Sequence, residues 1–245
     1  MIVGFVGSGS MAAAMARGWR DEFERLLFSD SGSGRAASLA AELGGEAVAN
    51  PELAARSDLV VIAVKPAKLA AVAPDLQDAG TVLSLLGATP LDRVAALFPD
   101  AEAHRLMPNV GVEVRRGVLC LAGPESPALE AKLAVLGHVV RLPDEQFDAA
   151  TAVMGCAPAY LALAVEALAE AGAAAGLDEE LARELVVETT GGTAELLRRR
   201  HPADVRRAVA SPGGSTEAGL EALDREGARE AFAAAVEASL ARMRG

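Results

Sequence analysis

Aromatic residues make up just 3% of this 245-residue chain, with one tryptophan and one tyrosine. A core short of large rings closes by bringing backbones near one another, and abundant alanine favours tightly packed helices. Cysteine is scarcer still: Cys120 and Cys156 are the two present, they form no CxxC pair, and histidine numbers three. That argues against a disulfide framework or a zinc site, and it fits a reducing cytoplasm. Positive charge is also in deficit. Lysine and arginine total 23 against 34 aspartates and glutamates, a formal net charge of −11. Such a surface repels phosphate backbones and anionic bilayers, so no nucleic acid and no membrane is expected as a partner. The chain opens directly on a strand-like segment, with no basic stretch leading into a cleavable apolar region. Its apolar runs are interrupted before they reach bilayer length.

What is present is apolar residue, 51% of the chain, arranged in two styles. Up to Pro143 short apolar segments alternate with helical patterns. Strands are expected at residues 1–6, 25–29, 59–64, 81–86, 103–106, 118–121 and 138–142, with helices at 11–23, 35–43 and 91–98. The run Leu59-Val60-Val61-Ile62-Ala63-Val64 is continuously apolar, as in a parallel strand covered on both faces. Alternation of this kind predicts an α/β, doubly wound sheet over residues 1–143. From Asp144 no strand pattern is left, and residues 144–245 read as an all-helical second domain. The stretch 160–175 is apolar nearly all round except at Glu166 and Glu170, which suggests burial against another subunit.

The first chemical signal is Gly7-Ser8-Gly9-Ser10-Met11-Ala12, a G-x-G-x-x-A between a strand and a helix. Gly7 permits a tight turn, Gly9 leaves room for a pyrophosphate, and Ala12 lets the helix pack closely on the strand. A phosphate then rests on free N–H groups at a helix N-terminus. An ordinary glycine-rich turn is the plainer alternative. The second strand leads into Ser29-Asp30-Ser31-Gly32-Ser33-Gly34-Arg35. Asp30 suits ribose hydroxyls and NADH, whereas Ser31, Ser33 and Arg35 suit a 2′-phosphate and NADPH, so the pattern leaves both open. Ala63-Val64-Lys65-Pro66 ends the third long strand; Lys65 there suits a phosphate or ribose and equally a plain surface lysine, while Asn50, in the loop before that strand, is placed to reach the adenosine end.

In the second domain Ser211-Pro212-Gly213-Gly214-Ser215-Thr216 breaks the helical pattern just before a new helix. Backbone N–H groups at the two glycines, with the hydroxyls of Ser211, Ser215 and Thr216, suit a carboxylate. A plain helix connector would look similar.

These features, with Met107-Pro108-Asn109 and with Pro158-Ala159-Tyr160 followed by Glu166-Ala167-Leu168, resemble the pyrroline-5-carboxylate reductase family along nearly the whole chain. The resemblance implies a Rossmann-like N-terminal domain and an all-α dimerisation domain, with an active site between them. It further implies interlocked subunits, as a dimer or a ring of dimers. The implied reaction is reduction of a cyclic imino acid, 1-pyrroline-5-carboxylate, to L-proline, with NADPH or NADH as hydride donor and no metal. Ser211, Gly213, Gly214 and Ser215 would hold the substrate carboxylate, with Cys156 as a further donor. Thr216 would hydrogen-bond the ring nitrogen as the one catalytic candidate. Gly7, Ser8, Gly9, Ser10, Met11, Ser29, Asp30, Ser31, Arg35, Asn50, Ala63, Val64, Lys65, Pro66, Met107, Pro108 and Asn109 would contact the cofactor. A protonated cyclic imine already accepts hydride, so no essential His or Lys base is expected, and Tyr160 is expected to pack rather than to act as an acid.

The chain departs from the family pattern at Met154-Gly155-Cys156-Ala157-Pro158-Ala159-Tyr160, where the family commonly has two serines and a further glycine. It also lacks the arginine often found at the position of Ser31. Three rivals follow: a reductase of another cyclic imine, a non-catalytic dinucleotide or proline binder, and a 3-hydroxyacid dehydrogenase. The last needs a lysine on an early helix of the second domain, and Lys132 is the only lysine beyond residue 100.

Overall fold

Ile2–Val6 is apolar at every position but the glycine, and it forms β1 at the centre of a sheet. In the computed structural model, which describes residues 1–244, the chain continues through α1 (Ser10–Gly18), β2 (Arg25–Ser29), α2 (Arg35–Leu43), β3 (Glu46–Ala47) and α3 (Asn50–Arg56). Then come β4 (Leu59–Ile62), α4 (Leu69–Val72), β5 (Thr81–Ser84), α5 (Leu91–Leu97), β6 (Glu102–Pro108), β7 (Gly117–Ala122), α6 (Pro127–Leu136), β8 (Gly137–Arg141) and α7 (Phe147–Ala150). The sheet is eight-stranded in the order β3-β2-β1-β4-β5-β6-β7-β8. Strand order reverses between β1 and β4, and that switch point opens a crevice beyond their carboxyl ends.

All pairs are parallel except β6–β7. The reason is length: Val110–Val114, a single 3-10 segment, joins the two strands, too little for a crossover. The crossover through α6 then sets β8 parallel to β7. The sequence reading has neither α6 nor the reversal. It also runs the first helix to Phe23, whereas α1 stops at Gly18. A Cβ at Gly18 would lie 2.4 Å from the Val112 carbonyl oxygen. The chain then turns so that Trp19 buries completely, donates from Nε1 to the Lys132 carbonyl (2.8 Å) and takes Phe23 against its ring.

Two apolar layers sandwich the sheet. Phe5, Phe28, Met15, Trp19 and Leu83 belong to one face; Leu27, Leu53, Ile62, Leu76 and Val94 belong to the other. Each fully buried side chain of this size contributes about 1.5–3 kcal/mol. At the far edge Arg105, nearly buried, donates to Asp144 (2.9 Å) and lies over the Phe147 ring.

The remaining helices are α8 (Ala157–Ala174), α9 (Glu179–Leu197), α10 (Pro202–Val209), α11 (Ser215–Arg225) and α12 (Ala228–Arg244). Helices take over from residue 144, while the chain divides spatially into two compact units, Met1–Cys156 with the end from Arg242, and Ala157–Ala241. Asp178 caps α9 by accepting from the Glu180 and Leu181 N–H groups. α8 and α9 meet where Gly172 faces Ala182. Tyr160 is half-buried and shares a hydrogen bond with Ser239 on α12 (2.5 Å), a packing role. One expectation from sequence needs correction. Asp144–Ala174 is a helical stretch with a local bend at Cys156 and is, by length and composition alone, apolar enough to cross a bilayer. Glu166 and Glu170 lie within α8 and do not interrupt it, and a 3-10 turn precedes α7 while a π turn follows it.

Candidate functional site

Beyond the carboxyl ends of β1 and β4 a cleft of about 480 Å³ is lined by Gly7, Ser8, Gly9, Ser29, Asp30, Ser31, Arg35, Asn50, Ala63, Val64 and Lys65. The two glycines of its floor differ in kind. Gly7 has φ +94°, and a Cβ there would stand 2.7 Å from the Ala63 carbonyl oxygen, so the fold itself demands glycine. Gly9 precedes α1 in an ordinary extended conformation, and a Cβ there would meet nothing within 4 Å. Packing therefore gives no reason for glycine at position 9. Close approach of a ligand to the backbone does, above a helix start with no side-chain cap. The donor set and the open backbone fit a dinucleotide pyrophosphate. Ser8 is buried and donates to the Ser29 carbonyl, tying the turn to β2.

At the far end Ser29 Oγ donates to Asn50 Oδ1 (2.7 Å), and Asn50 Nδ2 donates to Asp75 (3.3 Å). Asn50 opens α3 rather than lying in a loop, because Pro51 follows in the first turn and Glu52 favours its positive end. The Asp30 carboxylate accepts four hydrogen bonds, from the N–H groups of Gly32, Ser33 and Ala36 and from the Ser33 hydroxyl. These donors, Ala36 first, hold the Asp30 carboxyl below the ordinary carboxylate range. Arg35, Lys65 and Lys68 line the same cleft, and none has an ion pair among the described residues.

Other proposed cofactor residues lie elsewhere. Ser10 and Met11 form the first turn of α1 outside the cleft lining, and Pro66 opens a 3-10 turn. Met107 and Pro108 end β6, where Met107 pairs with Cys120. The Asn109 side chain is engaged by the fold: it accepts from the Gly111 and Val118 N–H groups and donates to the Met154 carbonyl. Cys156 is half-buried with a free thiol, just after a π turn at Thr151–Gly155. Such turns are over-represented at functional sites.

In the helical unit Gly213 has φ +71°, and Gly214 is the N-cap of α11. Their N–H groups are not the bare donors expected from sequence. Gly214 donates to the Ser211 carbonyl (2.9 Å) and Gly213 to the Glu217 carboxylate (2.7 Å). The glycines shape the turn, and the donors left at the helix start are the N–H groups of Ser215 and Thr216 with their hydroxyls. Thr216 is half-buried, and Ser211 and Ser215 are exposed. Lys68, Val72 and Glu217 are absent from the sequence reading. Lys68 was discernible, lying one helical turn after Lys65; Glu217 resembles a capping-box acid three residues past the N-cap.

Residues 144–245 match the family described as pyrroline-5-carboxylate reductase dimerisation, and residues 2–86 match one described as NADP oxidoreductase coenzyme F420-dependent. The chain is 33% identical over 258 residues to the pyrroline-5-carboxylate reductase of Thermus thermophilus, covering 99% of this chain and 97% of that one. The corresponding Synechocystis enzyme is 38% identical over 204 residues, covering 79% and 76%. Among solved structures, the 1-pyrroline-5-carboxylate reductase of Streptococcus pyogenes superposes with a TM-score of 0.90 at 30% identity, covering 99% of this chain and 98% of that one. A Mycobacterium tuberculosis 3-hydroxyisobutyrate dehydrogenase shares fold alone, with a TM-score of 0.54 at 22% identity over 69% of this chain and 63% of that one. With an α/β doubly wound unit, an all-helical dimerisation region and identity that runs through both, the chain belongs to the pyrroline-5-carboxylate reductase family.

Proposed function

We propose that the chain reduces 1-pyrroline-5-carboxylate to L-proline with a hydride from NADPH or NADH, as the last step of proline biosynthesis. The observation that carries the reading is the likeness to the Thermus thermophilus enzyme, which spans the dinucleotide cleft and the Ser211–Thr216 loop at once. A bound nicotinamide dinucleotide supplies the hydride. The protein's own share is binding and orientation. Gly9 exposes its backbone N–H group to the pyrophosphate, with Lys65 beside it, while Gly7 sets the turn and gives its own N–H to the Ser29 carbonyl (3.0 Å). Ser211, Ser215 and the first N–H groups of α11 hold a carboxylate, Gly213 and Gly214 set the turn, and Cys156 adds a weak donor. Thr216 Oγ1 holds the ring nitrogen, donating or accepting as its charge changes. Orientation supplies several kcal/mol of the barrier reduction, so no titrating base is required. Residues 1–143 form the dinucleotide domain and residues 144–245 the substrate and dimerisation domain. A second copy covers the exposed leucines of α8 and α9 as a dimer or ring of dimers, and both free cysteines suit the cytoplasm.

Nicotinamide absorbance recorded with purified protein and pyrroline-5-carboxylate tests the reaction. Oxidation of the cofactor is expected; tight dinucleotide binding without turnover would instead favour another imine or a non-catalytic binder. Thr216→Ala is expected to lower kcat about a hundredfold with dinucleotide Kd within twofold of the parent. Unchanged turnover would remove Thr216 from the mechanism.

A further inference from the structure

A carboxylate just after the second strand of such a sheet ordinarily grips the adenosine ribose and, by its charge, rejects a 2′-phosphate. Asp30 stands at that position, yet its lone pairs are otherwise engaged. A carboxylate offers about four acceptor sites. Here four donors take them: Gly32 N–H (2.7 Å), Ser33 N–H (3.0 Å), Ser33 Oγ (2.9 Å) and Ala36 N–H (2.8 Å). The loop is built for this. Gly32 and Gly34 both have positive φ, +91° and +78°, which folds residues 31–35 back around the carboxylate. α2 has no cap from its own N-cap residue, Gly34, and Asp30 serves instead through Ala36 N–H.

Three consequences follow for whatever occupies the adenosine end of the cleft. The Asp30 charge is offset by surrounding donors, so its repulsion of a nearby anion is weakened. Ser33 gives its hydroxyl proton to Asp30, leaving it no proton for a ligand. Ser31 Oγ and the Arg35 guanidinium, both exposed on the same loop and both cleft-lining, keep their donors free among the described residues. The wider field agrees. The chain carries a net charge of −11 and three lysines, and two of those, Lys65 and Lys68, line this cleft with Arg35. An unpaired guanidinium beside a serine hydroxyl is a phosphate-recognising pair.

We infer that Asp30 is a positioning residue that folds the 30–36 loop and does not read the ribose, and that Arg35 with Ser31 selects a 2′-phosphorylated dinucleotide, NADPH over NADH. The inference rests on the dinucleotide reading above, and deepens it by naming the residues that make the choice.

Direct binding of NADPH and NADH to the purified full-length protein, without substrate, tests it by calorimetry. The parent is expected to favour NADPH at least tenfold. Arg35→Ala should bring that ratio to within about threefold of one while NADH affinity stays within twofold. Asp30→Ala carries the sharper sign. A ribose-reading Asp30 would, on removal, weaken NADH and improve NADPH; a loop-folding Asp30 would, on removal, weaken NADPH about tenfold and NADH less. Asp30→Asn, which keeps an acceptor for the Gly32 and Ser33 N–H groups, should restore part of the NADPH affinity. A parent that binds NADH as tightly as NADPH, an Arg35→Ala protein with an unchanged ratio, or an Asp30→Ala protein with improved NADPH binding would each overturn the inference while leaving the dinucleotide reading intact. Binding of neither dinucleotide would overturn that reading itself. Arg35 is exposed and unpaired, so its arm holds even if the Asp30 variants fold poorly.

Discussion

The two units bury their apolar residues in opposite ways. The unit built on the sheet encloses Trp19, Phe5, Phe28, Phe147, Met15 and Leu27 at 0% exposure within a single chain. In the helical unit Ala182 is the one buried hydrophobic among the described residues, while Leu161, Leu163 and Leu168 stand 58%, 64% and 61% exposed. Composition does not explain the difference, since both halves are rich in alanine and leucine. Geometry does. A twisted sheet offers two faces that its own crossover helices can cover, whereas a helix apolar around most of its girth needs more neighbours than one chain of this length supplies. The first unit is completed by its own sequence, whereas the second matches a dimerisation family and, on the function proposed above, is completed by another copy. In a two-fold dimer each such residue occurs twice at the interface.

That contrast can be broken most forcefully in the helical unit. Leu161→Glu combined with Leu163→Glu is expected to weaken self-association at least a thousandfold, roughly 4 kcal/mol, because each copy must then bury unpaired carboxylates. Light scattering on an eluting column reads the loss, and dinucleotide binding in the sheet unit should persist within about threefold. Persistence of the dimer would mean that these leucines face solvent in the assembly. A smaller effect separates the two glycines of the cleft. Gly7→Ala forces an L residue to φ +94° against the Ala63 carbonyl and should lower stability by about 1–3 kcal/mol. Gly9→Ala should leave the melting temperature within about two degrees and still weaken dinucleotide binding tenfold or more, since its Cβ meets only ligand space. Equal melting temperatures for the two variants would undo the distinction. The smallest effect is electrostatic. Hydrogen bonds from Ala36 N–H and its neighbours depress the Asp30 carboxyl, and Arg17 depresses that of Glu42. A depressed carboxyl adds stability above its unfolded pKa, and this is lost as pH falls through the folded value. The sheet unit should therefore lose stability below about pH 4. Denaturant titrations of the parent and Asp30→Asn should converge in acid and diverge at neutral pH; parallel curves would exclude a share from Asp30.

Much of the architecture is legible in the residues because it is local. The runs Ile2–Val6 and Leu59–Ile62 announce buried parallel strands, Gly7-Ser8-Gly9 announces the turn between strand and helix, and Asp178 announces a helix start. The reversal of β7 escapes such reading, because it depends on how little chain Val110–Val114 leaves for a crossover. The need for glycine at position 18 escapes it too, since the Val112 carbonyl that would meet a Cβ there lies far along the sequence. In the site, sequence placed Asp30, Arg35 and Lys65 near one another through their strand ends, but it left the loop with two opposed readings, a 2′-phosphate at Ser31, Ser33 and Arg35 or ribose hydroxyls at Asp30. The four hydrogen bonds that commit its carboxylate are set by the fold of a glycine-containing loop. Likewise Gly213 and Gly214 advertise a turn, and only the folded backbone gives their N–H groups to Glu217 and Ser211. Sequence by itself thus determined the alternation of strands and helices, the position of the Gly7-Ser8-Gly9 turn and the family. Tertiary structure decided which donors and acceptors are already satisfied, because hydrogen-bond saturation is a property of neighbours brought together in space and not of residue type.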